Sequence, residues 1–288
     1  MNIEYALKND RIVHVSEVDR GLKCGCTCPG CGERMVAKKG QKTAHHFAHY
    51  NADCAHGLET TLHLMAKEIL ECEKRIMLPE VVPRFSYNAP KEHTISRSKM
   101  IHFDEVVLEK RLAGVRPDVF VKTGSKHLLI EICVSNDLDR EKHKKIEMLG
   151  ISTLEINLFE FDRMISKDEL REVLIKGEEH KYWIYNRLVE DYKKKWLSLC
   201  EKKLVVYRGN GYPQVDECPI GARMFRGYEP YANAEYDCRN LHEDPYNPCD
   251  YFVDYECFDR WNDEPEYIYC SGKARIGTID DLKKYLNV

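Results

Sequence analysis

Two short alternating runs, YALK and RIVHV, flank Asn9-Asp10 and predict a hairpin over residues 3 to 20. Further on, ETTLHLMAKEILECEKR (59 to 75) places Leu62, Met65, Ala66 and Ile69 three and four residues apart, the spacing of an amphipathic helix. Three β-like runs come next at 99–109, 115–121 and 127–135, the last two joined through KTGSK. A helical pattern over 137–150 then ends at Gly150, and 151–158 reads as another strand. The order α-β-β-β-α-β predicts an α/β protein with a compact mixed sheet flanked by helices. Ser166 and Glu169 have the spacing of a capping box for a helix to about Lys176, and 180–204 reads as a longer helix. The break RGNGYP (208 to 213) marks a boundary, and the tail beyond it has no clear periodicity.

Composition narrows the class. At 288 residues and 33.7 kDa there is material for a substantial core. The first ten residues hold two acids and no apolar leader, and no run approaches the roughly 18 apolar residues of a membrane span. The expectation is a cytoplasmic protein without membrane partners. Thirteen cysteines in a reducing compartment point to metal rather than to a disulfide framework. The net charge of −4 is uneven: residues 1–211 carry 36 Lys and Arg against 32 Asp and Glu, whereas 212–288 carry 8 against 16. Basic clusters at 38–46, 140–145 and 193–195 suit a phosphate backbone, although solvated helix faces look the same.

Cys28-Pro-Gly-Cys31 has the spacing of a zinc knuckle, and His45, His46 and His49 lie within 18 residues of it. His45 with His49 or His46 with His49 completes four ligands, with Cys24, Cys26 and Cys54 as substitutes. Such a site is structural, all four positions being filled by protein. In the tail, Cys218, Cys238, Cys249 and Cys270 sit at predicted turns or strand ends and suggest a second zinc, with Cys257 left as a packing residue. The acidity around them favours a partner protein or a second copy of the chain over nucleic acid.

The remaining chemistry is a pair of carboxylates. Strand alternation puts Glu131 and Cys133 on one face, opposite Ile130, Ile132 and Val134. A carboxylate among such residues is costly unless paired or bound to a cation, and Asp118 on the neighbouring strand is its natural companion. Two ionised acids side by side call for Mg2+ or Mn2+, which can activate water and stabilise a phosphoryl group. Glu59, His63 and Lys67, spaced by four, form one stripe at the border of the apolar face of the helix.

CPGCGERMVAKKG, HHFAH, ETTLHLMAK, RPDVF and IEICVS occur in the order seen in the competence protein CoiA-like family, which the chain resembles closely over about residues 3 to 160. The resemblance implies a zinc-finger-like module (1–56) and a restriction-endonuclease-like PD-(D/E)xK core (57–160), beyond which the chain reads as a helical extension (161–211) and a Cys-rich module (212–288). It favours Cys28, Cys31, His46 and His49 as the first zinc set. It implies a catalytic group of Glu59, His63, Lys67, Asp118 and Glu131, with Asp118 and Glu131 holding the cation. The implied function is a metal-dependent nuclease, DNA favoured, in DNA uptake, recombination or phage defence. Cys133 departs from this pattern, because lysine or glutamine usually stands there. Either Lys67 supplies the missing charge from the helix, or the chain is a non-catalytic nucleic-acid-binding or adaptor protein on a nuclease-like fold.

Overall fold

The computed structural model describes residues 3–51, 54, 57–83, 94–135, 140–207, 213–215, 252–256 and 267–270. The chain divides into two compact units, one drawn from residues 1–80 and 97–187, the other from 81–96 and 188–288.

The first unit begins with the predicted hairpin, strands β1 (Tyr5–Lys8) and β2 (Arg11–His14). Asn9 and Asp10 both take positive φ (50° and 60°), the geometry that matches a two-residue turn to the right-handed twist of its strands. Strands β3 (Met35–Lys38) and β4 (His46–His49) pair antiparallel. Together these segments enclose a small core of Ile3, Ala6, Val15, Met35 and Phe47, which also takes in the buried thiols of Cys24, Cys26 and Cys28.

Helix α1 (Gly57–Glu73) buries Leu62, Met65, Ala66 and Ile69, the stripe expected of it. Behind it come β5 (Arg75–Leu78) and β6 (Lys99–His102), an antiparallel pair, and then β7 (Glu105–Leu108). The single run expected over 99–109 is therefore two strands in two sheets. The chain changes sheets where the Phe103 N–H donates to the Lys74 carbonyl and the Asp104 N–H to that of Lys122.

β7, β8 (Val119–Thr123) and β9 (Lys126–Cys133) form an antiparallel meander. Helix α2 (Arg140–Leu149) ends with Gly150 at φ 62°, and β10 (Thr153–Asn157) returns parallel to β9. β11 (Lys181–Tyr185) completes the sheet in the order β11-β10-β9-β8-β7. Ile130, Ile132 and Val134 point into the main core with Leu62, Ile69 and Leu174, as the alternation predicts. Helix α3 (Lys167–Lys176) carries the capping box in full, Ser166 and Glu169 bonding reciprocally.

The helix expected over 180–204 is not formed as one element. KYWIY is the edge strand β11, His180 takes φ 62° before it, and only α4 (Arg187–Leu197) is helical before β12 (Glu201–Tyr207). Aromatic and β-branched residues beside the open edge of β10 find a pleated neighbour, which overrides the helical spacing. The second unit holds α4 beyond Arg187 and a sheet in the order β13-β12-β15-β14, with β13 (Pro213–Val215), β14 (Phe252–Glu256) and β15 (Tyr267–Cys270). Cys270 is buried at the end of β15, whereas Cys218, Cys238, Cys249 and Cys257 lie outside the described residues. Among the described residues no helix is long and apolar enough to cross a membrane.

Candidate functional site

Cys28, Cys31, His49 and Cys54 bring their ligand atoms within 4.8 Å of one another. The knuckle is built by backbone: Gly32, at φ 74°, donates its N–H to the Cys28 carbonyl, and the Cys28 N–H donates to that of Glu33. The Cys31 Sγ is 3.5 Å from His49 Nε2. Burial pushes the Cys28 thiol up to about 11, against the N–H groups of Gly30 and Cys31, which favour the thiolate. A divalent cation reverses that balance, since the thiolate is the ligand form. Gly57 supports the cluster from outside. A Cβ there would lie 3.0 Å from the Cys28 Sγ and 3.8 Å from the Cys54 Sγ, so α1 starts against two of the sulfurs.

His46 stands outside this group, with its Nδ1 2.9 Å from the Ala44 carbonyl oxygen. The reason is the strand: residues three apart on β4 face opposite sides, so His46 and His49 do not meet in one cluster, and Cys54 is its fourth member. His45 is likewise not in the group. Three sulfurs and one imidazole at this separation suit tetrahedral zinc.

The second constellation lies at the start of β8. Asp118 precedes Val119, whose register partner Ile130 precedes Glu131, so the two acids stand side by side across the β8–β9 pair. Asp118 Oδ1 is 3.0 Å from both His63 Nε2 and Lys67 Nζ, and Oδ2 accepts from the Ile132 N–H at 2.9 Å. Burial opposes its charge, but His63, the Ile132 N–H and Lys67 outweigh that and hold the carboxyl well below its usual range. The i, i+4 spacing on α1 is what delivers His63 and Lys67 to one oxygen. Glu59 is half-buried one turn earlier on the same stripe.

Glu131 is buried, and Lys142 Nζ donates to its Oε2 at 2.6 Å. Its Oε1 is buried with no hydrogen-bond partner among the described residues. Burial pushes this carboxyl up to about 7, Lys142 opposing the rise and Asp118 adding to it. An unmet acceptor on a buried acid beside a second acid fits a hard divalent cation, whose ligands are oxygens.

Three residues that sequence reasoning passed over complete the picture. Glu109 binds Lys67 Nζ at 2.6 Å and also Arg116, so Lys67 lies between two carboxylates with 4% of its side chain exposed. Glu109 holds φ 53° at the start of the loop to Asp118, with its N–H donating to the Asp118 carbonyl. The third is Lys142 in the first turn of α2, within a basic run singled out only for phosphate contact. A sharper signal was available: Lys142 is four residues before the fully buried Ile146 and so shares its stripe.

Residues 14–57 match the family described as competence protein CoiA, N-terminal domain. The match runs from the end of β2 to the first residue of α1 and contains all four members of the Cys/His cluster; the carboxylate constellation lies outside it. No curated protein and no solved structure matches the chain.

Proposed function

Starting from a chain that carries a CoiA N-terminal domain at residues 14–57, we propose a metal-dependent nuclease that hydrolyses phosphodiester bonds in nucleic acid, DNA above all, in a competence-related role in DNA uptake and recombination. The observation that supports it best is the unmet Oε1 of buried Glu131 beside Asp118. The sheet and helix order, α1, β7-β8-β9, α2, β10, is compatible with a PD-(D/E)xK core.

Asp118 and Glu131 would hold Mg2+ or Mn2+, which when bound supplies a Lewis acid for the phosphate and an acidified water. Asp118 is kept ionised by His63 and Lys67, so it binds a cation without first losing a proton. The Ile132 N–H fixes the carboxylate plane. His63, 29% exposed on its solvent side, is placed to orient water or the neighbouring carboxylate. Lys67 and Glu109 act behind Asp118, holding it in position. In the hydrolysis a water oxygen bonds to phosphorus, the bond to the leaving oxygen breaks, and that oxygen takes up a proton as the water gives one up. Cys28, Cys31, His49 and Cys54 would hold zinc, which when bound would brace the N-terminal module as a structural site.

A second reading, a non-catalytic nucleic-acid-binding or adaptor protein on the same scaffold, has one observation in its favour. Lys67 is enclosed by Asp118 and Glu109, so the ammonium expected to replace a lysine at position 133 is already engaged. Incubation of the full chain with Mg2+ or Mn2+ and single- or double-stranded DNA or RNA separates the two. Cutting that Asp118→Ala abolishes supports the nuclease; salt-sensitive binding with no cutting supports the adaptor.

A further inference from the structure

In the pattern that the chain resembles, lysine or glutamine stands two residues beyond the second acid, and the lysine places a positive charge beside that acid. Here that residue is Cys133, on the same face of β9 as Glu131 and buried at 8% exposure. A neutral thiol brings neither a fixed charge nor a strong donor. The charge is nevertheless present. Lys142 reaches Glu131 Oε2 at 2.6 Å, and its side chain is 32% exposed. Among the described residues Glu131 is its hydrogen-bond partner, so two of its three N–H donors are open to a ligand, in contrast with Lys67, which is buried between two carboxylates.

We propose that Lys142, and not Lys67, takes the place of the lysine missing at position 133, supplying the ammonium that meets the scissile phosphate beside Glu131. This rests on the nuclease reading above. The anchoring of α2 makes the placement possible. Lys142 and Ile146 are four residues apart, and Ile146 is fully buried, so the helix cannot turn Lys142 away without exposing an apolar side chain. An ammonium is effective through its position, whichever element carries it, and a helix that crosses from β9 to β10 carries it as firmly as the strand would. Glu131 gains as well. The same contact holds Oε2 and leaves Oε1 as the oxygen directed to a cation. Lys142 takes no proton in this scheme; it only offsets the charge that builds on the phosphate oxygens as water adds and the leaving oxygen departs.

The test compares DNA cutting in Mg2+ or Mn2+ by the full native chain, Lys142→Ala, Lys142→Arg, Cys133→Lys alone, and Lys142→Ala combined with Cys133→Lys, alongside DNA affinity for each. Lys142→Ala is expected to lower turnover at saturating DNA by about 100-fold, the usual loss when one transition-state donor is removed, with little change in affinity. Lys142→Arg is expected to keep part of the activity. Cys133→Lys is expected to return to the Lys142→Ala chain at least about a tenth of native turnover, which a merely structural role for Lys142 would not allow. The proposal is overturned if Lys142→Ala cuts like the native chain, or if neither Lys142→Arg nor Cys133→Lys restores cutting. A native chain that cuts nothing while Cys133→Lys alone cuts overturns it too, because Lys142 would then not be supplying the charge. If none of these chains cuts, the nuclease reading itself fails and takes the assignment with it.

Discussion

Lys181 is as deeply buried as Lys67, yet its described hydrogen bonds go to carbonyl oxygens: Met77 at 2.9 Å, Leu174 at 2.8 Å and Gly177 at 2.6 Å. It ties the end of α3 to β5 and β11. Burial pushes its ammonium down to about 8, Glu178 opposing the change. Because the folded value lies below the unfolded one of about 10.5, the unfolded chain holds the proton that the folded chain releases between those values. Stability from this group therefore rises with pH from about 8 to about 10.5. Lys181→Met is expected to remove that rise and to cost on the order of 3 kcal/mol by leaving buried carbonyls unmet. Urea melts of both chains across this window check it; parallel pH profiles would show that the residue does not titrate there. At the same scale Asp118, His63 and Lys67 are legible in the sequence, because i, i+4 spacing on a helix and alternation on a strand fix which side chains share a face. Lys142 and Cys54 are less so, since the tertiary path of the chain decides which of several lysines or sulfurs arrives.

The elements explain that difference. α1 is readable because its apolar stripe is continuous, and β8 and β9 because their alternation separates core from site. The edge strand β11 is not, since its aromatic run satisfies helical spacing equally well and only the open side of β10 decides the matter. β4 corrects the metal set by the same alternation that places Glu131: His49 faces the cluster and His46 does not. Metal analysis of purified chains is expected to show zinc kept in His46→Ala and lost in His49→Ala and Cys54→Ser. Zinc lost from His46→Ala and kept in Cys54→Ser would contradict the geometry. α1 begins where the cluster ends, so Gly57→Ala, which puts a Cβ 3.0 Å from the Cys28 Sγ, is expected to weaken zinc retention under chelator challenge. Zinc retention equal to that of the native chain would show that the sulfur gives way freely.

In the first unit, taken whole, α1 joins two chemistries. Its first residue lies against the Cys/His cluster, and His63 and Lys67, on its second and third turns, hold Asp118. The cluster falls within the CoiA N-terminal match and the acids beyond it, so one helix carries the chain from the matched module to the proposed active site. Glu131 is the residue on which the proposed activity turns: its unmet Oε1 either receives a cation or is an uncompensated cost. The most direct measurement is the initial rate of DNA cutting as Mg2+ is titrated, for the native chain and for Glu131→Gln, with DNA binding followed in parallel. Cation-dependent cutting is expected of the native chain, and a rate at least about 100-fold lower of Glu131→Gln, with DNA still bound. Glu131→Gln cutting at the native rate, or a native chain that cuts nothing at any Mg2+ or Mn2+ concentration, would contradict the metal-dependent nuclease.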